Sequence, residues 1–490
     1  MAKNINPASL GAPTIMVVLG ATGDLMAKKI VPALFHLHKE QALPSRFRLV
    51  GVSRRNWQDS DFKKHVKSII GDAIPKAARL ARNGFLNLTS YHQLTFSEES
   101  NYRVLGKILK QIDDEWGQCS NKLFYLSVPP QFYSVIFNNL HQSGLTKPCG
   151  GSGEGWTRVI VEKPFGSDRK SAKALDKQLS KLFKEEQIYR IDHYLAKEMF
   201  QNIIAFRFGN NLFEAEWGRK FIQSIHIRLF ESKGVEDRGE FYDGVGALRD
   251  VGQNHLLEIL ALLTMKRPES YDAAAIRTAR TKLLKTLIAP TIADAATNSF
   301  RAQYEGYRTI RGVASDSDTE TYFRVRGFLS APQWKSVPII MEGGKRLGAP
   351  LKEVEIILKH PEPCLCPPGK DHVRNRIIIR TEPNEGITVS FYAKKPGYAL
   401  ELEERSFRFD FRDRESTKSQ YTEEYEKLLL DCVSGDQTLF VSSAEIAAMW
   451  HFIDPFITAW QQGLAPLHRY KPDSAAIVAM ANAANKAVSD

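Results

Sequence analysis

The sequence predicts an α/β domain followed by an α+β domain. The first, over residues 1–192, reads as Rossmann-like and doubly wound; the larger second, over residues 193–490, reads as a mainly antiparallel sheet with helices. Three observations predict this. The first part alternates short apolar runs with helical patterns, as the strands and crossover helices of a parallel sheet do. The second part switches to period-two strands with segregated helices. At 490 residues the chain is also long for one hydrophobic core.

Residues 14–20 form a short apolar run, suited to a parallel strand covered on both faces. Residues 20–24 read as a turn. Residues 25–39 follow as a helix that gathers Leu25, Ile30, Leu34 and Leu37, with Pro32 as a candidate kink. Residues 47–53 give a second strand and complete a βαβ unit. Residues 123–128, closed by Pro129 and Pro130, are a further strand, as are residues 157–162 after the glycine-rich loop 150–155. Ser167 or Asp168 can cap a helix to about residue 186, with Ala172, Leu175, Leu179, Leu182 and Phe183 as its apolar stripe. The domain boundary falls at Asp192. Beyond it, residues 222–231 alternate, with Ile225, Ile227 and Leu229 on one face. Residues 354–358, 376–380, 387–392 and 406–411 are strand-like; residues 246–265, 422–432 and 443–461 are helical. The Ala-rich tail, 475–487, reads as a peripheral helix.

No apolar run is long enough to span a bilayer, and residues 1–13 lack the apolar stretch of a secretory signal, so a cytoplasmic protein is expected. The net charge of +11 points to anionic partners. The basic residues are dispersed and no nucleic-acid motif is present, so anionic metabolites fit better than nucleic acid. Among the five cysteines, Cys119, Cys149 and Cys432 stand alone. Cys364 and Cys366 form a lone C-x-C without a second ligand pair, so reduced thiols and no metal site are expected.

The densest chemistry lies at Arg190-Ile191-Asp192-His193-Tyr194-Leu195-Ala196-Lys197-Glu198. With a helix starting near His193, His193 and Lys197 stand at i and i+4 on one face of its first turn. A ring N–H and a cation there suit a phosphate monoester, because a helix N-terminus already favours an anion. Asp192 lies just outside, free to orient a neighbouring base. Gly20-x-x-Gly23 sits between a strand and a helix, where glycines let a pyrophosphate approach the backbone; it lacks one glycine of the full dinucleotide fingerprint. At the end of the second strand, where NAD sites carry an acid, this chain has Ser53-Arg54-Arg55; guanidinium groups favour the 2′-phosphate of NADP. Lys163 ends a strand on the ligand-binding edge. His255 lies in an apolar helix, where a lone His is more often a satisfied core residue than a base. Asp250 and Asn254 beside it shift that balance, since a polar cluster on a buried helix needs a reason.

Six segments in order resemble the glucose-6-phosphate dehydrogenase family. They are Gly20-Ala21-Thr22-Gly23-Asp24-Leu25, Glu162-Lys163-Pro164-Phe165-Gly166, the 190–198 cluster, the run from Arg249 to Leu257, Gly344-Lys345-Arg346-Leu347 and Lys394-Lys395-Pro396-Gly397. The resemblance implies oxidation of D-glucose 6-phosphate at C1 with reduction of NADP+, His255 as the base and Asp192 as its orienting partner. It implies cofactor contacts at Gly20, Thr22, Gly23, Asp24, Leu25, Arg54, Pro129 and Lys163. It implies substrate contacts at Lys163, His193, Tyr194, Lys197, Glu231, Asp250 and Lys345. It also implies a homodimer or homotetramer built on the antiparallel sheet, with no membrane or nucleic-acid partner and no metal.

The chain departs from the family in places. Ala196 replaces a usual glycine, and Glu342-Gly343-Gly344-Lys345 replaces Arg-Thr-Gly-Lys. A second basic substrate contact falls on Pro350, with Lys352 the nearest substitute, and Glu382 stands where a neutral amide is common. Glu342 and Glu355 replace arginines that hold a second, structural NADP in animal members, which implies that this second site is absent. The changes over 342–352 keep a dehydrogenase for another phosphosugar in view, whereas retention of Asp192, His193, Lys197 and His255 argues against a silent homologue that only binds nucleotide or sugar phosphate.

Overall fold

A computed structural model describes residues 11–71, 76–149, 155–210, 214, 217–363, 374–411 and 422–486. Two sheets organise it. The first contains β1 (Thr14–Leu19), β2 (Phe47–Ser53), β3 (Thr89–Gln93), β4 (Asn121–Leu126), β5 (Thr157–Glu162), β6 (Ile188–Ile191) and a two-residue strand near the C-terminus, β15 (Phe440–Val441). Their order is β15-β6-β5-β4-β1-β2-β3. β1 to β6 pair in parallel, and only β15 runs antiparallel. β1 is buried along its whole length because helices cover both faces, which explains its unbroken apolar run. The chain builds outward from β1 in one direction through β3, then from β4 in the other. That reversal opens a crevice at the carboxyl ends of β1 and β4.

The helix after β1 comes in two parts, a π-helical turn, Met26–Ile30, and the α-helix Val31–Lys39. Pro32 sits at the junction, where the missing N–H removes a bond to the preceding turn and the winding changes from π to α. Asp168 caps the helix Arg169–Leu182 as expected, its side chain accepting from Ser171 N.

The second sheet holds β7 (Ile222–Phe230), β8 (Ser299–Tyr304), β9 (Tyr322–Gly327), β10 (Ile339–Gly344), β11 (Leu351–Leu358), β12 (Arg376–Glu382), β13 (Gly386–Lys394), β14 (Leu402–Asp410) and β16 (Leu467–Tyr470). Their order is β14-β13-β12-β11-β7-β10-β9-β8-β16; only the β7–β10 and β8–β16 pairs are parallel. Ile225, Ile227 and Leu229 are buried, as their alternation requires. The helix expected over 246–265 is present as a π-helical stretch, Leu248–Leu256, continued by the fully buried α-helix Leu257–Thr264. The C-terminal helices are Glu424–Ser434, Ser443–Gln461 and Ala476–Lys486. β15 pairs with β6 through Phe440 and Ile191, and so brings the helix Glu424–Ser434 back to the first sheet. No helix among the described residues is long and apolar enough to cross a membrane.

One cysteine expectation is corrected. Cys119 and Cys149 are joined as a disulfide, with Cα atoms 5.8 Å apart, rather than standing as separate thiols. The segments leading into β4 and out of the helix Tyr133–Gln142 bring them together, a tertiary fact without local sequence signal. Cys432 is free and buried. Cys364 and Cys366 lie outside the described residues.

Candidate functional site

The crevice at the carboxyl edge of the first sheet is a groove of about 510 Å³. Gly20, Thr22 and Gly23 line it from the first turn, Arg54 and Arg55 from the end of β2, and Pro129 and Phe132 from the end of β4. Gly20 adopts φ +89°, and a Cβ there would run into the Ser127 carbonyl, so only glycine fits this turn. The Arg54 guanidinium lies 5.8 Å over the Phe132 ring, which holds it at the rim. These residues fit a dinucleotide: a close backbone approach, then a cation at the strand end where a ribose phosphate would lie. Asp24 and Leu25 do not line the groove. Asp24 is exposed and pairs with Lys28 at 2.6 Å, and Leu25 packs against the core.

The second cluster lies where β5, β6 and the π-helical stretch meet. Asp192 follows β6, and its Oδ1 accepts from His255 Nδ1 at 2.5 Å and from Tyr194 N at 3.0 Å. His255 is fully buried, and its backbone N–H is held by Asn254 Oδ1 at 2.7 Å. The Tyr194 ring stacks on it at 3.9 Å, and the His193 ring meets it edge-on at 5.0 Å. Lys163 Nζ lies 3.0 Å from His255 Nε2 and donates to the Asp250 carbonyl at 2.9 Å. Asp250 Oδ2 is 3.5 Å from Lys345, which donates to Glu231 Oε2 at 2.6 Å. Asp192, His255, Lys163, Asp250, Lys345 and Glu231 thus form one continuous polar chain, contributed by both sheets.

Electrostatics sharpens the assignment. Burial opposes ionisation of Asp192, but His255, His193 and Lys163 outweigh it and hold the carboxyl at about 2. Burial pulls His255 below its ordinary value, Asp192 resists, and Lys163 adds to the lowering. Asp250 is held below the usual carboxylate range by Lys163 and Lys345 against its burial. An ionised Asp192 can only accept, so the proton between it and His255 sits on Nδ1, and Nε2 carries the lone pair that Lys163 meets. Asp192, His193 and His255 offer donor atoms within 4.8 Å of one another, a spacing a metal could use. The short Asp192–His255 hydrogen bond occupies Nδ1, however, so the geometry is that of an acid–base pair.

The 193–197 segment departs from expectation. The helix begins at Glu198, with Lys197 as its N-cap. Residues 192–197 instead form successive tight turns, with Leu195 N bonded to Asp192 O, Ala196 N to His193 O and Lys197 N to Tyr194 O. The Asp192 carboxylate takes the Tyr194 N–H and so competes with helical bonding, while burial of Tyr194, Leu195 and Ala196 pins the turns. His193 and Lys197 therefore do not share a helical face. Burial, with His255 and Lys163 nearby, pushes His193 well below its ordinary range and keeps its ring neutral. Lys197 lies 5.4 Å from the Tyr194 ring and pairs with Glu424 at 3.2 Å.

Sequence reasoning missed Glu424 and gave no role to the half-buried Glu162, which meets the neighbouring Tyr425. Glu162, next to Lys163, accepts from Tyr125 at 2.5 Å and from Tyr425 at 3.2 Å. Burial, only partly offset by the two phenols, raises it to about 7. Nothing local in the sequence links the 423–426 stretch to β5.

The model of the glucose-6-phosphate dehydrogenase NAD binding domain matches residues 17–202, and that of the glucose-6-phosphate dehydrogenase C-terminal domain matches residues 204–488. The chain is 38% identical over 460 residues to glucose-6-phosphate 1-dehydrogenase of Aggregatibacter actinomycetemcomitans, covering 91% of each chain. It is 36% identical over 470 residues to that of Chlamydia muridarum, covering 92% of this chain and 91% of the relative. A solved glucose-6-phosphate dehydrogenase in complex with its substrate glucose 6-phosphate superposes with a TM-score of 0.87 at 31% identity, over 97% of this chain and 98% of the other.

Proposed function

We propose that this chain, which belongs to the glucose-6-phosphate dehydrogenase family, oxidises C1 of D-glucose 6-phosphate to 6-phospho-D-glucono-1,5-lactone with NADP+. The observation that carries the reading is the buried Asp192–His255 pair, whose basic Nε2 meets Lys163 at the carboxyl edge of the dinucleotide sheet. Bound in the groove, a nicotinamide dinucleotide supplies the hydride acceptor. His255 Nε2 takes the C1 hydroxyl proton, and Asp192 fixes the tautomer and supports the imidazolium that forms. The incoming hydroxyl replaces Lys163 as the donor to Nε2, while Lys163 keeps its bond to Asp250. Glu231 and Asp250 accept from sugar hydroxyls, and Lys345, bound to both, sets their spacing. His193 offers the 6-phosphate a neutral N–H, and Lys197 supplies the charge. Appearance of the NADPH absorbance band with glucose 6-phosphate, against a panel of other phosphosugars, tests the proposal. Faster turnover of another phosphosugar would reassign the substrate.

The proposed cofactor rests on Arg54 in place of the acid of NAD sites. Arg54→Ala is expected to raise KM for NADP+ far more than for NAD+, because only NADP+ carries the 2′-phosphate. Equal losses with both would show that Arg54 does not read it. The proposed base makes a pH prediction. Neutral His255 is the active form, so kcat/KM should fall as pH drops through its pKa. Burial holds that pKa below the ordinary 6.5, so the acid limb should have its midpoint below 6.5. A midpoint above 6.5 would mean that Asp192 dominates, or that another group titrates.

We place the boundary between dinucleotide and substrate domains after Asp192, where β6 ends. The chain is proposed to self-associate as a dimer or tetramer through the second sheet. Its edge strand β14 leaves Phe407 71% and Phe409 50% exposed, more apolar edge than a monomer usually shows to water.

A further inference from the structure

We infer that Glu424 sets specificity for the substrate's anion: its carboxylate occupies Lys197 and competes with the 6-phosphate, reducing the preference for phosphorylated over unphosphorylated sugar. The inference rests on the reading of Lys197 as part of the phosphate seat. Lys197 Nζ and Glu424 Oε1 lie 3.2 Å apart, and the two side chains are only 19% and 14% exposed. A pair so far withdrawn from water is weakly screened. Burial would raise Glu424, yet Lys197 beside it holds it below its ordinary value, so the carboxylate stays charged.

The surroundings deliver this carboxylate rather than leave it free to swing away. Glu424 opens the helix Glu424–Ser434, and its neighbours tie that turn down on three sides. Glu423 pairs with Lys29 at 2.5 Å, Tyr425 donates to Glu162 at 3.2 Å, and Glu426 meets His36 at 2.9 Å. The other cation near the seat is matched as well. Lys352 lies 5.9 Å from the Tyr194 ring, the ring that Lys197 also flanks, and pairs with Glu382 at 2.5 Å. The Glu382 side chain is 40% exposed, so that pair is open to solvent and Glu424 is the stronger competitor. A phosphate dianion entering the seat must displace a carboxylate that the fold holds in place.

The test compares full-length wild type, Glu424→Gln, Lys197→Ala and Glu424→Gln/Lys197→Ala with glucose 6-phosphate and glucose. Removing the charge should lower KM for glucose 6-phosphate roughly 5- to 30-fold and raise the ratio of KM for glucose to KM for glucose 6-phosphate. In the Lys197→Ala background the same change should give a much smaller gain, because the contested cation is gone. Equilibrium binding of inorganic phosphate, read by thermal shift, should tighten in Glu424→Gln in parallel. An unchanged or raised KM in Glu424→Gln overturns the inference and makes Glu424 a positioning partner that Lys197 needs. If Lys197→Ala fails to weaken glucose 6-phosphate at all, the fault lies instead with the reading of Lys197 as phosphate seat.

Discussion

His255→Asn is expected to lower kcat by roughly 10²–10⁴-fold, the usual contribution of a positioned general base, with KM for glucose 6-phosphate nearly unchanged. The split follows from geometry. The polar chain from Lys163 through Asp250 and Lys345 to Glu231 is held by bonds that do not pass through the imidazole, so the sugar's contacts persist. Asparagine keeps a polar group of similar reach beside Asp192, which limits the cost of leaving a buried carboxylate without a partner. What is lost is a basic atom at the reacting hydroxyl. Steady-state kinetics on a variant with a cooperative melt decides the matter. A near-normal kcat would remove His255 from the mechanism and return it to the core residues among which an apolar helix first places it.

The same residues show where sequence reasoning reaches and where it stops. Gly20 and Arg54 were legible because their chemistry is local: a turn that must pass close to the Ser127 carbonyl, and a cation at a strand end. The strands that escaped notice are short or interrupted by polar groups. β10 ends in Gly343-Gly344 and buries Glu342, whose carboxylate takes the Tyr322 hydroxyl and lies among Arg228 and Arg324. No alternation rule reads an acid at such a position as core. The 193–197 turns defeated the helical reading because Asp192 spends its carboxylate on Tyr194 N as well as on His255, a double use set by the fold. The resemblance implies that Lys197 and Lys345 serve one substrate site, and it names Glu231 and Asp250, the partners of Lys345, but not the partner of Lys197. Glu424 reaches Lys197 only because β15 folds the C-terminal segment back onto β6. The Cys119–Cys149 pairing is invisible for the same reason.

Lys197→Ala is expected to raise KM for glucose 6-phosphate roughly 10- to 150-fold, the equivalent of about 1.5–3 kcal/mol for a charge-assisted contact. The phosphate loses its cation, since His193 is held neutral and offers only an N–H. Glucose brings no anion to the seat, so its kcat/KM should fall far less than that of glucose 6-phosphate. The comparison separates anion binding from general damage, because a misfolded or displaced 192–197 segment would disturb Asp192 and Tyr194 and so penalise both sugars alike. Loss of kcat/KM by the same factor with glucose and with glucose 6-phosphate would show that Lys197 serves the packing of this segment and that the 6-phosphate is held elsewhere.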